Sequence, residues 1–95
     1  MNYKEALEEI KNKSDLIGKK IKGGTIDELI IFPNNEESKL NFKDNYLKTY
    51  DAESSIQPFI NEEVSICAVI DKVKILQKVF ITATLDEIQN ELEHN

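Results

Sequence analysis

The sequence has few of the side chains from which active sites are usually built. Its 95 residues include twelve lysines but no arginine, together with one cysteine, one histidine and no tryptophan. Without arginine there is no planar guanidinium to hold a phosphate or a carboxylate in a bidentate grip. A single histidine, His94, cannot build an ordinary zinc site and leaves little choice of acid–base catalyst. We therefore predict no catalysis, no metal and no cofactor.

The scarcity of cysteine and of long apolar runs bears on cellular location. Cys67 has no partner for an internal disulfide, so nothing in the sequence indicates an oxidising compartment. The first ten residues are charged and lack the apolar stretch of a signal peptide, and no apolar run is long enough to cross a membrane. We expect a cytoplasmic protein without membrane contact. The abundance of Lys, Asn and Ile is typical of an AT-rich genome, which weakens any functional interpretation of the missing arginine.

Acidic residues are concentrated in the middle of the chain. The formal net charge is −6, and residues 25–63 carry nine acids against three lysines. Such a field repels nucleic acid and favours a basic protein partner. Lys19, Lys20 and Lys22 form a small basic cluster, but lysine on an edge strand also discourages aggregation. The alternative interpretation of the acidity is that it only maintains solubility.

Both ends of the chain have the pattern of amphipathic helices. Residues 2–13 have Asn2 as a cap and Glu5 in capping-box position, and this helix ends near Ser14 or continues to Ile17. Thr84 is predicted to cap a final helix, with Glu87 in capping-box position. Gly23 and Gly24 lie between two alternating runs, which predicts a tight β-hairpin in which both glycines can take positive φ.

The second half of the chain is predicted to contain the strongest strands. The β-branched run 64–70 is typical of a central strand, 73–75 alternates, and 78–84 is a further strand. For 34–63 we expect an irregular segment with one short strand or helix. The prediction is a single α+β domain over residues 1–95. It is a small two-layer sandwich with a mostly antiparallel sheet of about four to five strands, on which N- and C-terminal helices pack.

The side chains that could carry chemistry each have an ordinary structural explanation. Cys67 lies in the most apolar strand, which predicts a buried thiol. Asp27 and Glu28 are adjacent on a strand, so their side chains should point to opposite faces and not act as a pair. Glu36–Glu37 and Glu62–Glu63 fall in predicted loops without the spacing of a calcium loop. An enzyme that uses carboxylates alone remains a remote alternative.

The most distinctive surface predicted from the sequence combines acids with tyrosines, because tyrosine anchors many interfaces. The alternative is that the aromatic rings cover one end of a small core. We expect a small acidic binding module of the inhibitor, immunity or accessory type that docks on a basic protein surface. A structural subunit that forms a homo-oligomer is the second hypothesis. The predicted partner-binding residues are Glu36, Glu37, Tyr46, Tyr50, Asp51, Glu53, Glu62 and Glu63.

Overall fold

The computed structural model describes residues 1–94, which form an α+β fold, as predicted. The helices are α1 (Tyr3–Asn12), α2 (Glu36–Thr49), α3 (Ala52–Ile56) and α4 (Leu85–Glu93). The strands are β1 (Lys20–Ile21), β2 (Gly24–Pro33), β3 (Val64–Ile70) and β4 (Ile81–Thr84). They form one antiparallel sheet in the order β1-β2-β3-β4. Short 3-10 helices occupy Ser14–Leu16, Gln57–Phe59 and Lys72–Gln77.

Strand β3 is the centre of the sheet and has the bounds that the sequence predicts. It pairs with β2 on one side and with β4 on the other. Ser65 is its only exposed residue, so both faces of the strand are buried. Such burial suits a run of β-branched residues, because they pack well on a pleated surface that is covered on both sides.

Both end helices begin at the predicted caps. The Asn2 side chain accepts a hydrogen bond from the Glu5 backbone N–H (2.8 Å), and the Glu5 carboxylate accepts one from the Asn2 N–H (2.9 Å). Helix α1 ends at Asn12, two residues before Ser14, the earlier of the two predicted ends. At α4, the Thr84 hydroxyl accepts from the Glu87 N–H at 3.1 Å. These caps satisfy amide groups that have no partner within the first helical turn.

The middle of the chain differs most from its prediction, because it is mainly helical. Two helices, α2 and α3, lie in the segment 34–63, for which the sequence predicts an irregular chain with one short strand or helix. Phe42 and Tyr46 lie one turn apart on α2 and are both fully buried, whereas Leu40 is 65% exposed. The apolar residues of α2 therefore do not form one stripe, and the helical period is hard to detect.

The hairpin is present, but its details differ from the prediction. Ile21 pairs with Gly24, so Lys22 and Gly23 form the loop. Only Gly24 of the two glycines has a positive φ, at 136°. The strand before the turn is reduced to Lys20–Ile21, and Gly18, which has a φ of 95°, lies outside it.

Residues 72–80 are also less extended than expected. The alternating run 73–75 lies in the 3-10 helix Lys72–Gln77, and the last strand begins at Ile81 instead of residue 78. Asp71 and Lys78, at the two ends of this 3-10 helix, have left-handed backbone conformations with φ of 49° and 62°. An extended ladder cannot pass through either residue.

Candidate partner-binding surface

Four of the predicted acids meet at one end of the molecule, which we call the acidic end: Glu36, Glu37, Glu62 and Glu63. The Ser38 hydroxyl, in the first turn of α2, donates a hydrogen bond to the Glu62 carboxylate at 2.8 Å. The Asn34 backbone N–H donates to the Glu63 carbonyl at 3.1 Å. These two contacts hold the loop before β3 beside the start of α2. Acids that lie 26 positions apart in the sequence therefore share one surface.

Three acids of this end, Glu36, Glu37 and Glu63, are exposed, and Glu62 is half-buried. The side chains of Glu36 and Glu63 are 89% and 78% exposed. Two cations lie within ion-pair distance: Lys39 Nζ is 3.3 Å from Glu36 Oε1, and the Met1 α-amino nitrogen is 3.9 Å from Glu63 Oε1. Four carboxylates thus outnumber the two cations, and the surface is negative overall.

The start of α2 also depends on Asn35, which is not among the predicted partner-binding residues. Asn35 caps α2 by accepting hydrogen bonds from the N–H groups of Glu37 (3.0 Å) and Ser38 (3.1 Å). The positive end of the helix dipole also favours carboxylates in the first turn. An Asn followed at once by two acids is a recognised helix-start pattern, so this signal was present in the sequence.

Three predicted residues lie elsewhere. Tyr50 is the C-cap of α2, and Asp51 caps α3 by accepting from the N–H groups of Glu53 and Ser54. They follow the far end of a 14-residue helix, which at 1.5 Å per residue places them about 20 Å from the acidic end. Asp51 and Glu53 have a structural role in starting α3. The predicted surface is therefore divided between the two ends of α2.

Tyr46 is a core residue, which corrects its prediction as an exposed partner contact. It is 0% exposed, and its ring stacks on Phe42 at 5.8 Å between centroids. Its hydroxyl donates a hydrogen bond to the Glu28 carboxylate. Burial, and then this carboxylate, raise the pKa of Tyr46 far above its usual range. The alternative that the aromatic rings contribute to the core is correct for Tyr46 and Phe42.

Asp27 and Glu28 both contact Lys72, but through different atoms of that residue. A β-bulge between Ile26 and Glu28 breaks the alternation of β2. The Asp27 carboxylate accepts from the Lys72 backbone N–H at 2.8 Å, and Glu28 Oε1 lies 3.2 Å from Lys72 Nζ. The same ammonium is 5.7 Å from the Tyr46 ring centroid. This cluster attaches the 3-10 helix Lys72–Gln77 to β2 and α2, and no sequence signal predicts it.

The thiol of Cys67 is protected, as expected. It is 7% exposed, and burial raises its pKa to about 12, although nearby Lys39 acts in the opposite direction. A thiol that stays protonated at neutral pH is a poor nucleophile. His94 is exposed. Within residues 1–94 no group of three or more His, Cys, Asp or Glu side chains is placed to hold a metal ion.

A groove of about 380 Å³ lies between the end of α1 and α4. Leu16, Leu85 and Leu92 contribute apolar side chains to it, and Asp15 and Glu93 are exposed at its lining. It is separate from the acidic end.

Comparison with known proteins gives no relative: no protein family, no curated protein and no solved structure matches the chain. No helix in the described part of the chain has both the length and the apolar character needed to cross a membrane.

Proposed function

We propose that the chain is a small acidic module, of the inhibitor, immunity or accessory type, that docks on a basic surface of another protein in the cytoplasm and performs no catalysis. The observation that supports this proposal is the acidic end. Two pairs of glutamates that are distant in sequence lie on one surface through the Ser38–Glu62 and Asn34–Glu63 hydrogen bonds, and all of them except the half-buried Glu62 are exposed.

Electrostatics give this surface a role in association. The chain carries a net charge of −6, so its overall field attracts a basic partner before contact. The fixed carboxylate of Glu62 and the first-turn acids of α2 present this charge on ordered elements instead of a free tail. Ordered charges favour specificity, because the partner must match their positions.

The test begins with identification of the partner by pull-down from the native host and mass spectrometry. Association rates are then measured at low and high salt for a variant with glutamine at all four positions of the acidic end. A matched control removes the same number of charges from exposed positions elsewhere, by Glu8→Gln, Asp15→Asn, Asp44→Asn and Glu93→Gln.

We expect the acidic-end variant to associate about tenfold more slowly at low salt, and the difference to shrink at high salt. The control variant should show a smaller loss, which reflects net charge alone. Equal losses in the two variants would contradict a specific acidic surface. The acidity would then act only through the overall field or as a solubility device.

The second candidate is a structural subunit that forms a homo-oligomer. The observation in its favour is a set of exposed aliphatic side chains at Val73, Leu76 and Val79, which are 69%, 64% and 42% exposed. Exposed aliphatic groups that lie together often mark an interaction surface.

The layering of the fold is also a proposal. We infer that α1 and α4 pack on one face of the sheet, as the sequence predicts, and that α2 covers the other. Phe42 of α2 contacts Phe32 at 5.1 Å between ring centroids. Ile31 and Pro33, which flank Phe32 in β2 and so point to the opposite face, are buried as well. We assign Ala6 of α1 and Ile88 of α4, both 0% exposed, to that opposite face. This arrangement has three layers, one more than the predicted sandwich.

A further inference from the structure

Three aliphatic side chains in and just after the 3-10 helix Lys72–Gln77 are exposed, and we call them the aliphatic patch: Val73, Leu76 and Val79. In a 3-10 helix, residues three apart lie on the same side, so Val73 and Leu76 are neighbours on one face. Ile75, between them, is 1% exposed and anchors the segment in the core. The patch is thus an ordered surface, because the buried side chain of Ile75 fixes this segment on the core.

The patch is followed directly by the open edge of the sheet. Strand β4 is last in the order β1-β2-β3-β4 and pairs only with β3 among the described strands. In an antiparallel strand, backbone groups point alternately to the two sides, so half of those in β4 face away from β3. An edge of this kind is a template for pairing with another strand.

The lysines of the segment that carries the patch are held by contacts within the chain. Lys74 pairs with Asp71, and Lys72 pairs with Glu28 and also contacts Asp27 through its backbone. Lys78 donates to the Leu47 carbonyl at 3.1 Å. Asp86 and Glu87 are exposed in the first turn of α4, just after β4. The ion pairs leave little net charge at the patch itself, whereas the whole chain, at −6, opposes the approach of a second copy.

We propose that the aliphatic patch and the edge of β4 form a contact between two copies of this chain. The inference depends on the second candidate function and names its interface. A two-fold contact brings the same surface of each copy together, and the ion pairs of Lys72 and Lys74 within the chain leave little like charge at the apolar centre to oppose that approach. The three side chains supply only roughly a third of the ~800 Å² per partner in a standard interface. Pairing of the β4 edges adds main-chain hydrogen bonds, and the dimer should be weak and concentration-dependent.

The chain offers a closely matched pair of variants for the test. Leu76→Glu places a charge in the patch at a residue that is 64% exposed, and Leu40→Glu places one on α2, outside the patch, at a residue that is 65% exposed. Val73→Glu is a second variant within the patch. Circular dichroism and thermal unfolding check that each variant folds. Sedimentation velocity from micromolar to millimolar concentration measures self-association.

We expect the wild type to dimerise as concentration rises, and Leu76→Glu and Val73→Glu to weaken dimerisation by about tenfold or more. Leu40→Glu should dimerise like the wild type. Amide exchange in β4 should slow in the concentrated wild type but not in Leu76→Glu.

A wild type that stays monomeric throughout would overturn the proposal and leave the patch to a different protein. Equal weakening by Leu40→Glu and Leu76→Glu would also overturn it, because the contact would then not be specific to the patch. The glutamine variant of the acidic end should still dimerise. Binding of the glutamine variant to a basic partner tests the docking proposal, and dimerisation of Leu76→Glu tests the dimer proposal. The two measurements are independent, so either proposal can fail while the other stands.

Discussion

Asp71 occupies the space in which a side chain at Gly24 would lie. A β-carbon at Gly24 would be 2.6 Å from Cγ and 2.7 Å from Oδ1 of Asp71. The carboxylate is held there, because Oδ1 accepts a hydrogen bond from the Thr25 N–H at 2.9 Å. The Asp71 N–H in turn donates to the Thr25 carbonyl at 2.9 Å. The absence of a side chain at Gly24 thus lets the end of β3 close against the hairpin.

Gly24→Ala should therefore lower the free energy of unfolding by about 1–3 kcal/mol, measured by urea denaturation. Two costs combine, since Gly24 has a φ of 136° and the new methyl group would collide with Asp71. Gly23→Ala is the matched control. Its φ is not positive and no atom lies within 4 Å of its β-carbon position, so we expect a change within about 0.5 kcal/mol. Equal losses of stability in Gly24→Ala and Gly23→Ala would show that the collision with Asp71 does not cause the destabilisation.

The sequence predicts the elements whose signals are local. The run 64–70 is uniformly apolar and β-branched, and Asn2 and Thr84 are capping residues in standard register, so β3 and the starts of α1 and α4 could be located. The Gly23–Gly24 hairpin was also evident. What the sequence could not assign is which glycine matters, because that depends on Asp71, which is distant along the chain.

The missed elements are those in which tertiary contacts override the local pattern. Helix α2 buries Phe42 and Tyr46 but exposes Leu40, so its apolar residues follow no single face. The run 73–75 alternates like a strand, yet a 3-10 helix buries Ile75 there. The same effect removes one residue from the predicted site, because Tyr46, expected as an exposed partner contact, is buried and its hydroxyl donates to Glu28 of the sheet.

Tyr46→Phe should destabilise the protein by about 1–2 kcal/mol, because it removes the hydroxyl that donates to Glu28. A double-mutant cycle with Glu28→Ala, which removes the acceptor, should give a coupling free energy of about 0.5–3 kcal/mol from four urea denaturation curves. Tyr50→Phe, at a 40% exposed residue, is the control and should have little effect. Additive losses for Tyr46→Phe and Glu28→Ala would mean that the hydrogen bond between Tyr46 and Glu28 contributes nothing to stability.

The protected thiol gives the fold a dependence on alkaline pH. The pKa of Cys67 rises from 9.0 to about 12 on folding, so only the unfolded chain ionises between these values. The thiol's contribution is therefore complete below about pH 9 and is lost as the pH rises towards 12. In Cys67→Ala, stability should fall less steeply over this range, by up to about 1.4 kcal/mol per pH unit. Parallel curves for the two proteins would show that Cys67 is not protected, since all other groups titrate in both.

Charge reversal at the acidic end should affect stability differently at its two halves. Glu36 and Glu37 lie in the first turn of α2, where the sequence had predicted a loop, and Glu63 lies in the loop before β3. Lysine at either α2 position would oppose the helix dipole and cost about 0.3–1 kcal/mol. Glu36→Lys would also replace the ion pair with Lys39 by a repulsion.

Thermal unfolding at low and high salt measures this difference. Glu63→Lys is the comparison, and because its side chain is 78% exposed in a loop we expect little change. The losses at Glu36 and Glu37 should shrink at high salt, since exposed charges are screened. Equal stability of Glu36→Lys and Glu63→Lys would mean that the helix N-terminus does not stabilise these acids. If Glu36→Lys and Glu37→Lys lose stability as expected, a binding defect of these variants could come from weakened folding as well as from a weakened contact. Neutral glutamine variants are therefore the better choice for binding measurements.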